Sequence, residues 1–336
     1  MPVKAPMRHV ILLAALLLSA CGSGRVGPSS DQSTPTASPQ PTATSTPEPT
    51  PTPQPQLLVL SSGEETEVHQ ALEEWALERG WALNSVPAEE RSDWSQFAGL
   101  QAVVILETGV AAEIVAESPP QVPMVVVGDA GIEAGDRVST VGEPGARHDQ
   151  AGFLAGAMAG LATENWVVAL VGQTGGEHET VYHAAFIHGV RYTCAYCWVV
   201  PYSIEGLTSD GLRANRVDAG LSIPGLASRQ GFSQLAQAGI WVIWIGSPPE
   251  EVPVERLAGG VVFSPETLVP LALESLMAGE PGQAWPYHVE NGGLRLSGIN
   301  PEAISPGRER VLEAAREALA SGELDVGVDP VTGEER

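Results

Sequence analysis

The run Gln150-Ala151-Gly152-Phe153-Leu154-Ala155-Gly156-Ala157-Met158-Ala159-Gly160-Leu161-Ala162 leads into Trp166-Val167-Val168-Ala169-Leu170-Val171 and then Gly172-Gln173-Thr174-Gly175-Gly176. A helix-like segment, a continuous apolar run and a glycine-rich turn are the parts of one α/β unit. An apolar run this short, bounded by turn residues, reads as a strand buried on both faces. The alternation extends in both directions. Leu57-Leu58-Val59-Leu60 precedes a helical stretch over 64–79, on which Val68, Leu72, Trp75 and Leu77 fall on or near one stripe and which Gly80 ends. Ala102 to Leu106, Met124 to Val127, Trp198 to Val200 and Trp241 to Ile245 are further apolar runs, and 179–190 and 228–238 further helical segments. The pattern predicts parallel sheets with helices on both faces, in which ligands bind beyond the carboxyl ends of the strands. The loops that matter are then Ser61-Ser62-Gly63, Glu107-Thr108-Gly109, Gly128-Asp129-Ala130, Gly172 to Gly176, Pro224-Gly225 and Gly246-Ser247.

The N-terminus carries a different signal. Lys4 and Arg8 precede the apolar segment Val10 to Ala20, which closes on Leu18-Ser19-Ala20-Cys21. Eleven helical residues reach about 16 Å, against a bilayer core of roughly 30 Å, so the segment is too short to span and reads as an export signal over 1–20. Its end resembles the lipobox of bacterial lipoproteins, which implies acylation (palmitate or a similar chain) at Cys21. From Gly22 to about Gln56 there is no Leu, Ile, Phe, Trp or Tyr, and Pro, Thr, Ser, Gln and Ala dominate. Residues 21–56 are therefore expected to be the acylated Cys and a disordered, proline-stiffened spacer.

Composition narrows the partners. The net charge is −24 and the hydrophobic fraction 43%. A field of that sign repels nucleic acid and anionic lipid, so neither is expected as a partner beyond the lipid anchor.

Several stretches resemble one family in order. Asp149 to Ala159 is similar to the helix "E-x-G-x-F-L-A-G-x-x-A" of the basic membrane protein family, which includes purine nucleoside receptors that feed ABC transporters. Val167 to Gly172 resembles its "K-I-G-F-V-G-G", and Ala185 to Val190 its "E-A-G-F-I-A-G-V". Ala219 to Pro224 and Trp241 to Gly246 sit where two later core strands would. The segment 305–326 resembles the terminal helix and "I-x-S-G-E-I-x-V". The resemblance implies a type I periplasmic-binding-protein fold: two doubly wound parallel-sheet lobes joined by a three-crossover hinge. The N-terminal lobe would hold 57–143 plus about 261–284, the C-terminal lobe 144–260 plus about 285–326, and 327–336 a tail.

The pocket departs from that family. Its loop after the first strand, which places a stacking Phe, here reads Ser61-Ser62-Gly63-Glu64-Glu65, without a ring. Its aspartate after the fourth strand matches Asp129, a carboxylate able to accept two ribose hydroxyl bonds. Its later aspartates give way to Gly246-Ser247-Pro248-Pro249-Glu250, its "T-S-x-x-K" to Phe263-Ser264-Pro265-Glu266-Thr267, and its "G-x-G" keeps only Gly225. Asp129, Ser62, Gly225, Ser247 and Ser264 are the ligand-binding candidates. Scaffold residues match and pocket residues do not, so the ligand is expected to be altered: a small polar molecule, nucleoside-like or otherwise.

Cys194 and Cys197 form a C-x-x-C pair after a helix end, where the dipole disfavours a thiolate. A local disulfide is expected, with reduced thiols and metal or redox chemistry as the alternatives; a zinc site would have only His183 and His188 nearby. In His178-Glu179-Thr180-Val181-Tyr182-His183 the histidines are five apart, not the four that share a helix face in a zinc-protease motif. No G-x-S-x-G, P-loop or helix-opening G-x-G-x-x-G occurs, so no enzyme, cofactor or metal site is expected. Trp166, Trp198, Trp241 and Trp244 lie in strand runs and are expected in the core, whereas Trp94, Trp285 and Tyr287 are open to a place in the cleft.

These readings lead to a lipid-anchored extracytoplasmic solute-binding protein of an ABC transporter, monomeric, partnered by a small ligand and permease subunits. The alternative is a non-transport sensor or interaction lipoprotein on the same fold with a degenerate pocket.

Overall fold

The computed structural model describes residues 52–336 apart from 62, 64–65, 89–93, 120, 129, 144, 173–177 and 226. The expected signal segment, Cys21 and the spacer up to residue 51 lie outside the described residues, as do the candidates Ser62 and Asp129.

Two six-stranded sheets carry the chain. The first contains β1 (Gln56–Leu60), β2 (Ala82–Val86), β3 (Leu100–Ile105), β4 (Met124–Val127) and β5 (Val138–Gly142), with the late strand β11 (Ala284–Pro286), in the order β11-β5-β4-β3-β1-β2. All its pairings are parallel. The second contains β6 (Val167–Gly172), β7 (Trp198–Ser203), β8 (Ala219–Ser222), β9 (Trp241–Ile245), β10 (Leu257–Phe263) and β12 (Leu294–Ser297), in the order β12-β10-β9-β8-β6-β7, with only β12 antiparallel. The helices are α1 (Thr66–Glu78), α2 (Thr108–Glu117), α3 (His148–Ala162), α4 (Glu179–Thr193), α5 (Ser209–Ala214), α6 (Ser228–Gln237), α7 (Pro265–Met277) and α8 (Pro306–Ser321). None of the described helices is long and apolar enough to cross a membrane.

The continuous apolar runs have the expected cause. In β1, Leu57 and Val59 enter one core cluster and Leu58 and Leu60 another, because successive side chains leave opposite faces of the sheet. In β6, Val168 and Leu170 face α3 and α4, while Ala169 and Val171 face the side covered by α5 and α6. All fifteen residues of α3 are buried. Past its first turn that helix is apolar around its whole circumference because sheet, α4 and α8 leave it no solvent face.

Three crossovers join the sheets: between β5 and α3, between β10 and α7, and between β11 and β12. They are stitched to one another. Arg147 N donates to Tyr287 O at 2.9 Å, Ser264 N to Gly293 O at 2.9 Å, and Val289 N to Gln150 Oε1 at 3.0 Å. Beyond α8, residues 327–336 fold back on α4, with Val328 buried in the second-lobe core.

Some side chains depart from the sequence expectation. Gly80 takes the left-handed conformation (φ +68°) past α1, as a C-terminal glycine does. On α1, Val68, Leu72 and Trp75 are buried, but Leu77 is 80% exposed and Ala76 takes the inner position. Trp244 is core, yet Trp166 and Trp198 are 64% and 71% exposed. The reason is topological: β7 is the sheet edge, Trp198 opens it, and Trp166 precedes β6 with φ +64°.

Cys194 caps the C-terminus of α4 and is disulfide-bonded to Cys197, with Cα atoms 5.3 Å apart. The bridge closes a loop too short to restrict the unfolded chain much. Replacing both cysteines by serine should therefore lower stability by only about 2 kcal/mol. Urea denaturation of the double variant checks this, and the parent under reductant should match it.

Candidate functional site

A cavity of about 600 Å³ opens between the lobes at the carboxyl ends of the strands, where a doubly wound sheet presents its ligand loops. The first lobe contributes Glu67 from α1, Leu106 and Thr108 after β3, Val127 at the end of β4 and Gly128 after it. The second contributes Ser247 after β9 and Phe263 at the end of β10, and the crossovers add Glu266 and Tyr287. The Phe263 and Tyr287 rings lie 5.1 Å apart at 43°, an aromatic wall on one side. Gly142 makes room for that wall: a Cβ there would stand 3.2 Å from the Tyr287 ring, and its φ is +116°.

The polar side of the cavity is acidic and rich in helix starts. Glu67 and Glu266 sit in the first turns of α1 and α7, and Thr108 opens α2. Free backbone N–H groups at helix starts suit acceptor atoms, while carboxylates suit donors. Glu266 is ion-paired with Arg295, whose Nε also donates to Ser264 Oγ at 2.6 Å. Glu107, between the lining residues Leu106 and Thr108, has its Oε2 shielded from solvent with no hydrogen-bond partner among the described residues.

Of the five ligand-binding candidates, Ser247 lines this cavity. Ser264 is fully buried behind it, where its hydroxyl positions Arg295. Gly225 lies in the turn between β8 and α6 and is not among the lining residues. Asp129 and Ser62 lie outside the described residues. Of the uncommitted aromatics, Tyr287 lines the cavity, while Trp285 and Trp94 pack against the two cores of the first lobe. Glu67, Thr108, Phe263 and Glu266 were in view in the sequence but were not assigned; only their place at strand and helix ends could have marked them.

Beside Phe263 the second lobe holds a histidine cluster. The His148 ring meets Phe263 edge-on at 6.2 Å and stacks on His178 with centroids 3.9 Å apart. His148 Nδ1 lies 2.6 Å from Tyr182 Oη, and Nε2 lies 2.7 Å from Glu143 Oε1. The contact with His148 is the main cause holding the Glu143 carboxyl below its ordinary pKa of 4.5, so it is an anion at neutral pH. Burial pushes the Tyr182 phenol well above its ordinary 10.0, so it stays protonated.

Solved structures with this arrangement set the chain in context. An ABC transporter solute-binding protein from Conexibacter woesei aligns at TM-score 0.59 and 19% identity, covering 81% of this chain and 98% of that one. The fold is that of the type I periplasmic binding proteins. A transcriptional activator of the comK gene from Bacillus halodurans aligns at TM-score 0.60 and 12% identity over 81% and 99% of the two chains. A solute-binding protein of an ABC transporter system from Aeropyrum pernix aligns at 0.51 and 16% over 81% and 93%. No family model matches the sequence, and no curated protein does. At these identities the likeness is one of fold.

Proposed function

We propose that this chain is an extracytoplasmic solute receptor, tethered through Cys21, that closes its lobes on a small polar ligand and delivers it to an ABC permease. The observation that carries the reading is a cavity lined from both lobes at their strand ends. Contacts to both lobes favour the closed form and supply the energy of closing. The aromatic wall of Phe263 and Tyr287, the carboxylate of Glu67 and the nearby Glu107 suit a ligand with an apolar or ring face and several O–H or N–H donors. A nucleoside or a sugar fits that description. The receptor acts as a monomer, and its chemistry is binding.

The test is native mass spectrometry on the protein as isolated, followed by a thermal-shift panel of nucleosides and sugars. A stoichiometric small-molecule adduct is expected, with a stabilising shift for its class. A clean protein mass with no shift across the panel would sink the receptor reading. With a ligand in hand, Tyr287→Ala should weaken binding about 10–100-fold if a ring stacks there. An unchanged Kd would place the ligand away from the wall.

A second reading, a non-transport sensor or interaction protein, draws on one observation. Tyr192, Tyr196, Trp166 and Trp198 are all exposed near the disulfide and the β7 edge, Tyr196 at 91%. Exposed aromatics gathered in this way are a feature of protein contact surfaces.

A further inference from the structure

We infer that Glu143, His148 and His178 form a binding site for a borderline divalent cation, Zn²⁺ foremost, beside the interlobe cleft. The inference is independent of what the cleft binds. One ligand-type atom from each of the three residues lies within 4.8 Å of the other two. They come from three separate places: the first crossover just after β5, the first turn of α3, and the residue preceding α4. No sequence motif unites them, and topology alone brings them together.

The decisive group is His148. It is 6% exposed, and its Nε2 is shielded from solvent. Glu143 Oε1 lies 2.7 Å from it, so the carboxylate and the imidazole nitrogen face the same point. A buried imidazole nitrogen facing a carboxylate is the pairing that a shared cation would bridge. Its other nitrogen is already held by Tyr182 Oη, itself on a buried side chain. A ring fixed through one nitrogen and offering the other is how metal-bound histidines are oriented. Glu143 adds a carboxylate oxygen to the same cluster. Two imidazoles and one carboxylate form a donor set suited to Zn²⁺ and its neighbours, leaving a fourth position for water or a ligand atom. Calcium and magnesium prefer sites built from oxygen alone.

The rings of His148 and His178 are inclined by only 22°, so their in-plane lone pairs do not meet at one point. Entry of the ion therefore turns His178 out of the stack, while His148 and Glu143 stay in place. Access is from a cavity of about 220 Å³ lined by Gly128, Glu133, Thr140 and Glu143. An ion held there ties the first crossover to α3 and α4 and so braces the lobe junction.

The experiment uses the full chain, purified in detergent and stripped with chelator. It is titrated with Co²⁺, with excess calcium present to saturate oxygen-only surface sites. One equivalent of Co²⁺ should give visible absorption of the four-coordinate kind, displaced by one equivalent of Zn²⁺. Tyr182→Phe should weaken binding about 10–100-fold, the usual loss for a group that orients a ligand. Glu143→Gln and His178→Asn should weaken it further. Asparagine tolerates the left-handed backbone at 178 (φ +54°), so that variant keeps its fold. Absence of the cobalt band would overturn the site, as would binding that His178→Asn and Glu143→Gln leave unchanged.

Discussion

Gly189→Ala should cost the protein about 4 kcal/mol, more than the 1–3 usual for overpacking a core, with a fall in Tm of roughly 10 °C. A Cβ on Gly189 would stand 1.9 Å from Phe153 O and 2.8 Å from Ala157 N. Both are backbone atoms of α3, so no side chain can swing aside. Gly156 is the reciprocal point: its Cβ would lie 2.1 Å from Phe186 O on α4. The two helices touch backbone to backbone and can admit a methyl group only by separating. Separation would lift α3 from β8, β9 and β10, against which it is buried along its length. Gly239→Ala is the informative control. Gly239 has φ +81° and open space around its would-be Cβ, so alanine there meets only the left-handed penalty of about 1–2 kcal/mol. Chemical denaturation of both variants separates packing from backbone conformation. A Gly189→Ala loss no larger than that of Gly239→Ala would mean that the helices part easily.

The elements that make this contact were legible in the sequence, but the contact itself was not. The segments 150–162 and 179–190 read as helices, and the strands at 124–127 and 241–245 coincide with the apolar runs. Elements with weaker signals were not. β5 reads Val-Ser-Thr-Val-Gly, and its Ser139 and Thr140 look solvated but are buried. β2 is an edge strand with only partial burial and no apolar run. α7 opens on Pro265 and contains Pro270, a residue that argues against helix from sequence alone. The tryptophans show the complementary failure. Period and hydrophobicity place Trp166 and Trp198 in strands, but only the order of strands reveals which edge is open to water. At the site, strand ends could be read from the chain, and Ser247 stands after one of them; Tyr287 was open to a place in the cleft only as an uncommitted aromatic. The cluster of Glu143, His148 and His178 could not, because the crossover that joins it is a property of the folded topology.

Arg147→Met should cost about 3 kcal/mol, the lower end of the range for removing one partner of a buried ion pair. Arg147 grips Asp149 through Nε and Nη2, each 2.7 Å from a separate carboxylate oxygen. Asp149 is completely buried, whereas the arginine side chain keeps 32% exposure. The charge left behind in the variant is therefore the buried one. Its position in the first turn of α3 compensates in part through the helix dipole, which is why the lower end of the range is expected. The grip also raises the Arg147 pKa above its ordinary value, chiefly through the hydrogen bonds to Asp149, so the guanidinium keeps its charge. Adding Asp149→Asn to the variant should recover a good part of the loss, since no buried charge then remains. The same residue governs the cleft, because its backbone N–H holds Tyr287 O at 2.9 Å. If the pair sets the path of the first crossover, Arg147→Met should weaken ligand binding even where the variant is fully folded, and the double variant should recover stability more fully than affinity. A single variant within about 1 kcal/mol of the parent would show that water reaches Asp149 and that the crossover owes its path to the backbone bonds alone.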